Sequence, residues 1–206
     1  MKRLMLFALC LAMFAVPAQA QQRFGLGIGV GASGYTNDVF NEGVSSHIGF
    51  LGSGNILFLV DDWFLVGIGA EGDLHRFDRG DVDFAKMSTV SLIPFVEFRG
   101  PANAYLFLGV GYNFNMGKFD KPFELPDAGL VHDLEIDDTI AFKGGAGWDI
   151  FIDDNFALNV EVGWKYNKGD AYARVTKDGE TKKFKLLDGL DASEVTGVCG
   201  IRYYFP

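Results

Sequence analysis

Residues 156–166 read Phe-Ala-Leu-Asn-Val-Glu-Val-Gly-Trp-Lys-Tyr. Successive side chains of a strand point to opposite sides, so Phe156, Leu158, Val160, Val162, Trp164 and Tyr166 share one face. Ala157, Asn159, Glu161, Gly163 and Lys165 share the other. The first face is apolar from end to end. The second is small or charged, a composition that no hydrophobic core accepts. Ten steps of roughly 3.3 Å, tilted by about 40°, rise about 25 Å, the height of the apolar band of an outer-membrane barrel. Phe156 borders this band below, and Trp164 and Tyr166 border it above. Aromatic rings with an apolar body and a wet edge belong at such borders, so these three are expected to form an aromatic girdle.

The same period of two recurs along the chain. Residues 104–116 set Leu106, Leu108, Val110, Tyr112, Phe114 and Met116 against Tyr105, Phe107, Gly109, Gly111, Asn113 and Asn115. Residues 24–32 interleave Phe24, Leu26, Ile28, Val30 and Ala32 with four glycines. Further strands are expected near 46–60, 63–77, 86–98, 139–152 and 194–205, making eight. Helical periodicity is nowhere sustained, and Leu130–Ile136 is expected to form a single helical turn at most. Asp61-Asp62, Gly100–Asn103 and Asp153–Asn155 read as tight turns, with longer polar connections near 34–45, 78–85, 117–138 and 167–190. This alternation of long and short connections predicts an all-β fold: an eight-stranded antiparallel up-and-down transmembrane β-barrel with short periplasmic turns, longer extracellular loops and both termini periplasmic. A soluble sandwich or lipocalin-like barrel would need bulky apolar side chains on its inner face. Here the face opposite the apolar one is mostly Gly, Asn, Ser and charge.

The front of the chain points to export. Lys2 and Arg3 precede the apolar run Leu4–Val16, and Ala18-Gln19-Ala20 fits a signal-peptidase site. Residues 1–20 therefore read as a signal peptide and 21–206 as the barrel domain. Losing Lys2 and Arg3 takes the net charge from −9 to −11, which argues against a nucleic-acid partner. Cys10 leaves with the leader, so Cys199 remains without an internal disulfide partner.

The second half of the chain resembles the OmpW family of eight-stranded outer-membrane barrels. The resemblance rests on the order of Tyr105–Asn115, Leu130–Phe142, Gly144–Asn155, the Trp-Lys-Tyr end at 164–166 and the final Gly200–Phe205. Leu92-Ile93-Pro94 also lies about where that family has a proline-containing strand. The resemblance implies an outer-membrane location and passage of small, often apolar, compounds through a narrow lumen with a lateral exit. Gly200, Tyr203 and Phe205 resemble the C-terminal signal read by the β-barrel assembly machinery, with Pro206 as a departure. The partners expected are outer-membrane lipids and lipopolysaccharide, the assembly machinery during biogenesis, and small apolar solutes.

Strand parity aims a set of charges into the barrel: Glu71, Asp73, Glu97, Lys143, Asp149, Glu161, Lys165, Glu194 and Arg202. A charge in a narrow barrel must be paired or wet. Two clusters are expected, with Glu71, Asp73, Lys143 and Lys165 above and Glu97, Asp149 and Arg202 below, acting as an ion-pair plug or as a gate. Thirteen glycines share the inward face; they either open the lumen or make room for Phe107, Phe151 or Tyr204.

Other motifs carry less. Gly67–Gly72 matches a dinucleotide fingerprint but sits inside a strand with no helix following. His47, His75 and His132 show neither metal-ligand spacing nor a partner, and Ser45 and His47 share a face without an evident orienting acid. The acidic 117–138 connection reads as a solvated loop, with cations bridging to lipopolysaccharide phosphates as the alternative. Catalytic residues, a metal site and a cofactor are therefore not expected. The chain reads as a narrow conduit rather than an enzyme, with a closed barrel of structural or adhesive role as the alternative.

Overall fold

The computed structural model describes residues 24–37, 39, 44–80, 82–125, 129–177 and 180–205. The signal-peptide segment and Pro206 lie outside the described residues. The strands are β1 (Phe24–Tyr35), β2 (Val44–Ser46), β3 (Gly49–Asp61), β4 (Phe64–Arg79), β5 (Val82–Arg99), β6 (Ala104–Phe119) and β7 (Phe123–Leu125). They continue as β8 (Gly129–Ile136), β9 (Thr139–Phe151), β10 (Phe156–Tyr166), β11 (Lys168–Lys177), β12 (Glu180–Asp191) and β13 (Glu194–Tyr204). Eight of them close a cylinder. β1, β3, β4, β5, β6, β9, β10 and β13 each pair antiparallel with their neighbours, and β13 returns to β1. Among the described residues, closure pairs the strand edges that would otherwise meet hydrocarbon, apart from a break at Ile93 and Pro94 in the β5–β6 ladder.

Three short connections join strands at one end. Asp61 Oδ1 accepts from the Asp62 amide at 2.7 Å, and Asp153 Oδ1 accepts from the Asn155 and Phe156 amides at 2.8 and 2.7 Å, side-chain bonds that fix a turn. Between β5 and β6, Pro101–Asn103 forms a 3-10 turn with Ala102 and Asn103 left-handed, at φ 57 and 61. Phe205 N donates to Phe24 O at 2.7 Å, so both chain ends of the barrel lie together. Tyr204 N donates to Asn155 O at 2.7 Å, which puts them at the end that carries the short turns.

The wall is inside-out, and the exposures decide this. Ile28, Leu108 and Val162 are 66%, 64% and 58% exposed, whereas Glu97, Lys165 and Arg202 are 0%, 0% and 1% exposed. An aqueous protein would have these reversed. At the other end the polarity switches. On β4 the inward row Glu71, Asp73, His75 gives way to Phe77, while the outward row passes from Leu74 to Arg76. Phe77, Met87, Phe119, Val131, Leu134, Ile136, Ala173 and Val175 form an apolar core inside this upper part. Beyond the hydrocarbon the outer face meets water, so the inner face takes over the apolar burial.

Three expectations are corrected there. The connection placed at 78–85 is a tight hairpin, since β4 runs to Arg79 and β5 starts at Val82, with Gly80 left-handed at φ +64. The loops placed at 117–138 and 167–190 are largely strands β7, β8, β11 and β12 that extend the wall. Leu130–Ile136 forms no helical turn; it is the body of β8.

The inward glycines serve mainly as seats. A Cβ at Gly147 would enter the Tyr105 ring, and one at Gly31 would meet the Gly197 carbonyl of the neighbouring strand. The first makes room for a large ring, and the second lets two strands bend close together. Phe107 and Tyr204 reach into the lumen, both 4% exposed. Phe151 does not; it is exposed at the turn end and stacks on Tyr204 at 5.6 Å.

Candidate functional site

The lumen holds the charged side chains, and it is built in layers. At the turn end, Arg202 on β13 donates from Nη1 to Glu97 Oε2 at 2.9 Å and to Asp149 Oδ2 at 3.3 Å, and from Nη2 to the Tyr105 hydroxyl at 3.1 Å. Arg99, which follows Glu97 by two residues on β5, donates to Glu97 Oε1 at 2.8 Å and to Asp149 Oδ2 at 2.9 Å. Tyr204 donates to Asp149 at 2.6 Å and Asn159 Nδ2 donates to it at 2.8 Å. Desolvating such ions costs several kcal/mol each, and only this density of hydrogen bonds offsets it. Below the network, Leu57, Leu65, Ala157 and Tyr204 form an apolar floor.

In the middle, Lys143 on β9 bonds Glu71 on β4 and, at 2.8 Å, Glu161 on β10. Its ammonium also lies 5.1 Å from the centre of the Phe107 ring. Glu161 Oε2 accepts from Tyr105 at 3.2 Å and lies 3.8 Å from Arg202 Nη2. The upper and lower groups expected from parity are therefore one linked chain.

Above this, Lys165 on β10 joins Asp73 at 2.8 Å and Glu194 at 2.6 Å, and it donates to Ser91 at 3.2 Å. His75 corrects the expectation of an unpartnered histidine. Its Nε2 lies 2.8 Å from Ser33 Oγ, 3.1 Å from Glu194 Oε2 and 3.9 Å from Asp73 Oδ1, and its ring packs 4.1 Å from Tyr35. Asp73, His75 and Glu194 present ligand atoms within 4.8 Å of one another, the one such group among the described residues. Lys165 places its ammonium against both carboxylates. The sequence did not single out Arg99 or the amide layer of Asn113, Asn115, Thr139 and Asn167: Arg99 and Asn167 lie one residue beyond the strands expected to end at 98 and 166, and Asn113, Asn115 and Thr139 carry no charge to mark them. In that layer Thr139 donates to Asn167 Oδ1 at 2.6 Å and Asn113 donates to Thr139 at 3.1 Å.

Two spaces adjoin this column. A lumen cavity of about 40 Å³ lies among Ser53, Asn55, Glu71, Phe107, Asn159 and Arg202, room for about three or four water-sized groups on the order of 10–15 Å³ each. Glu71 Oε2, Asn55 Oδ1 and Arg202 Nε are buried there without a hydrogen-bond partner among the described residues. The second space, about 510 Å³, is an apolar notch in the outer wall bounded by Pro94, Val96, Leu108, Val110, Phe142 and Trp164. Phe95 and Lys143 border both spaces. At the notch the β5–β6 ladder skips: Leu92 pairs with Tyr112 and Phe95 with Gly109, while Ile93 and Pro94 between them are unpaired. Proline has no amide to give.

The remaining expected residues lie on the outside. Trp164 is exposed and Tyr166 half-buried, their rings 6.1 Å apart, with Phe142 also 6.1 Å from Tyr166. Phe156 is half-buried at the turn end, where the rings of Trp63, Phe98, Phe24 and Phe205 also lie. Tyr203 and Phe205 are exposed with their rings 4.8 Å apart, and Gly200 pairs with Gly29 across the β1–β13 seam. His47 Nε2 lies 2.5 Å from Asp78, an acid the sequence did not place beside it; among the described residues Ser45 makes no hydrogen bond to His47. His132's side chain lies outside the described residues, as do Asp127 and the side chain of Glu124.

The acids of the 117–138 segment that are described are tied to protein partners. Asp120 takes Lys86 at 2.6 Å, and Glu135 takes Lys183 at 2.7 Å and Arg174 at 3.1 Å. Asp170, on the facing hairpin, takes Lys185 at 2.7 Å. Hydrogen bonds from Lys183 and Arg174 hold the Glu135 carboxyl below its ordinary value of 4.5, and Lys185 does the same for Asp170, whose ordinary value is 3.8. A carboxyl depressed in the folded state stabilises above its unfolded value and loses that contribution as pH falls through the folded one. The β11–β12 hairpin should therefore show its fullest amide protection at neutral pH and a measurable reduction below about pH 4, modest because both carboxyls are exposed. Exchange protection factors, normalised for intrinsic rate, check this; a hairpin as protected at pH 3 as at pH 6 would refute it.

The model of the family described as outer membrane protein beta-barrel domain matches residues 6–187. No curated protein sequence matches the chain. Among solved structures, a major outer membrane protein from Thermus thermophilus aligns with TM-score 0.62 at 14% identity, over 90% of this chain and 100% of that one. OprG from Pseudomonas aeruginosa aligns with TM-score 0.58 at 14% identity, over 90% and 96%. Ail, the attachment invasion locus protein of Yersinia pestis, in complex with the heparin analogue sucrose octasulfate, gives 0.53 at 14% identity, over 90% and 100%. At these identities the likeness is one of fold.

Proposed function

The chain belongs to the outer membrane protein β-barrel domain family, and from that premise we propose that it is a narrow conduit for small apolar molecules, shut along its axis and approached through its wall. The supporting observation is the notch at Pro94, whose apolar space meets the lumen cavity across Phe95 and Lys143. Ions and sugars would have to break the Lys143 and Lys165 bridges to pass along the axis. An apolar solute leaving sideways would keep its contacts apolar as far as Phe95. Both termini are taken as periplasmic, beside the short turns, following the usual asymmetry of such barrels. Gly200, Tyr203 and Phe205 are taken as the assembly signal.

In liposomes, the wild-type barrel should admit an apolar solute faster than empty vesicles while showing little single-channel conductance in planar bilayers. Phe95→Ala should raise uptake several-fold, and Pro94→Val, which restores an amide to the ladder, should lower it. Uptake at the empty-liposome level for both wild type and Phe95→Ala would end the conduit reading.

A specific observation favours a second reading. Lys143 reaches Glu71 and Lys165 reaches Asp73 across the lumen, and Glu161 and Glu194 add bridges from neighbouring strands, as a closed barrel with a structural, envelope-integrity or adhesive role requires. The same uptake measurement separates the two.

A further inference from the structure

On the outer wall three cations stand side by side. Arg76 on β4 is in register with Lys86 on β5, and Lys86 is in register with Lys118 on β6. Like charges directly opposite one another on neighbouring strands destabilise a sheet, so such a row calls for a counter-charge. The protein supplies little. Asp120 takes Lys86 at 2.6 Å, and its carboxyl is held low chiefly by that hydrogen bond, with Lys121 and Lys118 adding to it. Asp78 is taken up by His47. Among the described residues, no carboxylate lies within ion-pair distance of Arg76 or Lys118, and both are exposed.

The height of the row is informative. One outward position toward the turn end, Leu74, Ser88 and Met116 are likewise in register, with Leu74 46% and Met116 53% exposed on the apolar wall. The alternate positions, His75, Phe77, Ala85, Met87 and Phe119, are buried inside, so the three cations cannot turn inward. They lie where the apolar band stops, at the end of the barrel opposite the short turns.

We propose that Arg76, Lys86 and Lys118 bind the phosphorylated headgroup of an outer-leaflet glycolipid, whose acyl chains lie along the Leu74–Met116 face. Strands about 4.8 Å apart spread the row over about 10 Å, a span that suits a headgroup with more than one phosphate. Arg76 brings a planar fork that grips phosphate with two bonds, and the lysines bring point charges. A free phosphate would gain only the charge attraction. A lipid gains apolar contact below the row as well, and this commits the site to a lipid. The inference rests on the barrel's placement in the membrane and is independent of whether it conducts solutes.

The test uses the folded barrel in phosphatidylcholine nanodiscs doped with lipid A or with its dephosphorylated form, and lipid retained on affinity purification is quantified by mass spectrometry. Wild type should enrich lipid A over the dephosphorylated form by about tenfold, which corresponds to about 1.4 kcal/mol. Arg76→Gln with Lys118→Gln should abolish the enrichment. Lys182→Gln, at an exposed lysine of the β12 hairpin that pairs with Glu180, should leave it intact, and millimolar inorganic phosphate should not compete. Heat-modifiable gel mobility verifies folding, and Lys118→Gln alone carries the comparison if the double variant does not fold. Equal retention of the two lipids, enrichment that survives the substitutions, or displacement by inorganic phosphate would each overturn the proposal.

Discussion

Arg202→Met should lower the stability of the barrel by about 3–5 kcal/mol, the cost of removing one partner from a buried ion network. Arg202 is 1% exposed and bonds Glu97, Asp149 and Tyr105 at once. Methionine fills the space but leaves two buried carboxylates to share Arg99. Neutralising the orphaned acid should recover much of the loss, so Glu97→Gln added to Arg202→Met should unfold at higher urea than Arg202→Met alone. Urea unfolding in lipid vesicles, followed by tryptophan fluorescence, measures both. A single-variant loss under about 1 kcal/mol, the ordinary effect of a point substitution, would mean that the turn-end network holds the barrel together far less than its geometry implies.

The second large effect is expected at the opposite end of the charge column. Lys165→Met removes the ammonium between Asp73 and Glu194, and a destabilisation of the same order follows. Here the residues left behind have an alternative partner. Asp73, His75 and Glu194 would present three ligand atoms within 4.8 Å of one another, a donor set suited to zinc with a fourth position free. Zinc at about one hundred times its dissociation constant would return about 2.7 kcal/mol. The Lys165→Met barrel should therefore gain stability with zinc, while the wild type, with the ammonium in place, should not. Adding His75→Ala should remove the response. A Lys165→Met variant indifferent to zinc would show that the three groups cannot converge on one ion.

How much of this was legible in the sequence follows from where water lies. Along the hydrocarbon, a strand has lipid on one side and a polar lumen on the other, so residues 156–166 and 104–116 carry an uninterrupted period of two. Parity then places Glu97, Lys143 and Arg202 inside without further information. Above the hydrocarbon the signal fails for a definite reason. Val131 and Leu134 both face the core because β8 carries one extra residue between Val131 and Asp133, where the register with Val175 and Arg174 shifts. The resulting spacing of three imitates a helical turn. His75 went unpartnered in the sequence because Glu194 is 119 residues away, and only barrel closure brings β4 and β13 to the same lumen. The hairpin at Gly80 was hidden by Asp78, Arg79 and Asp83, which read as a polar loop although they are the water-facing ends of two strands.

The inversion of polarity between Leu74 and Arg76 on the outside, and between His75 and Phe77 on the inside, fixes the molecule's draught. Sinking by one residue pair would carry Arg76, Lys86 and Lys118 below the waterline, and rising by one would strand Leu74 and Met116 above it. Both moves are opposed by the same few residues, so the barrel cannot bob to suit its surroundings. In a membrane of different thickness the lipids, not the protein, must give way, thinning or thickening in a collar around a float that keeps its own level.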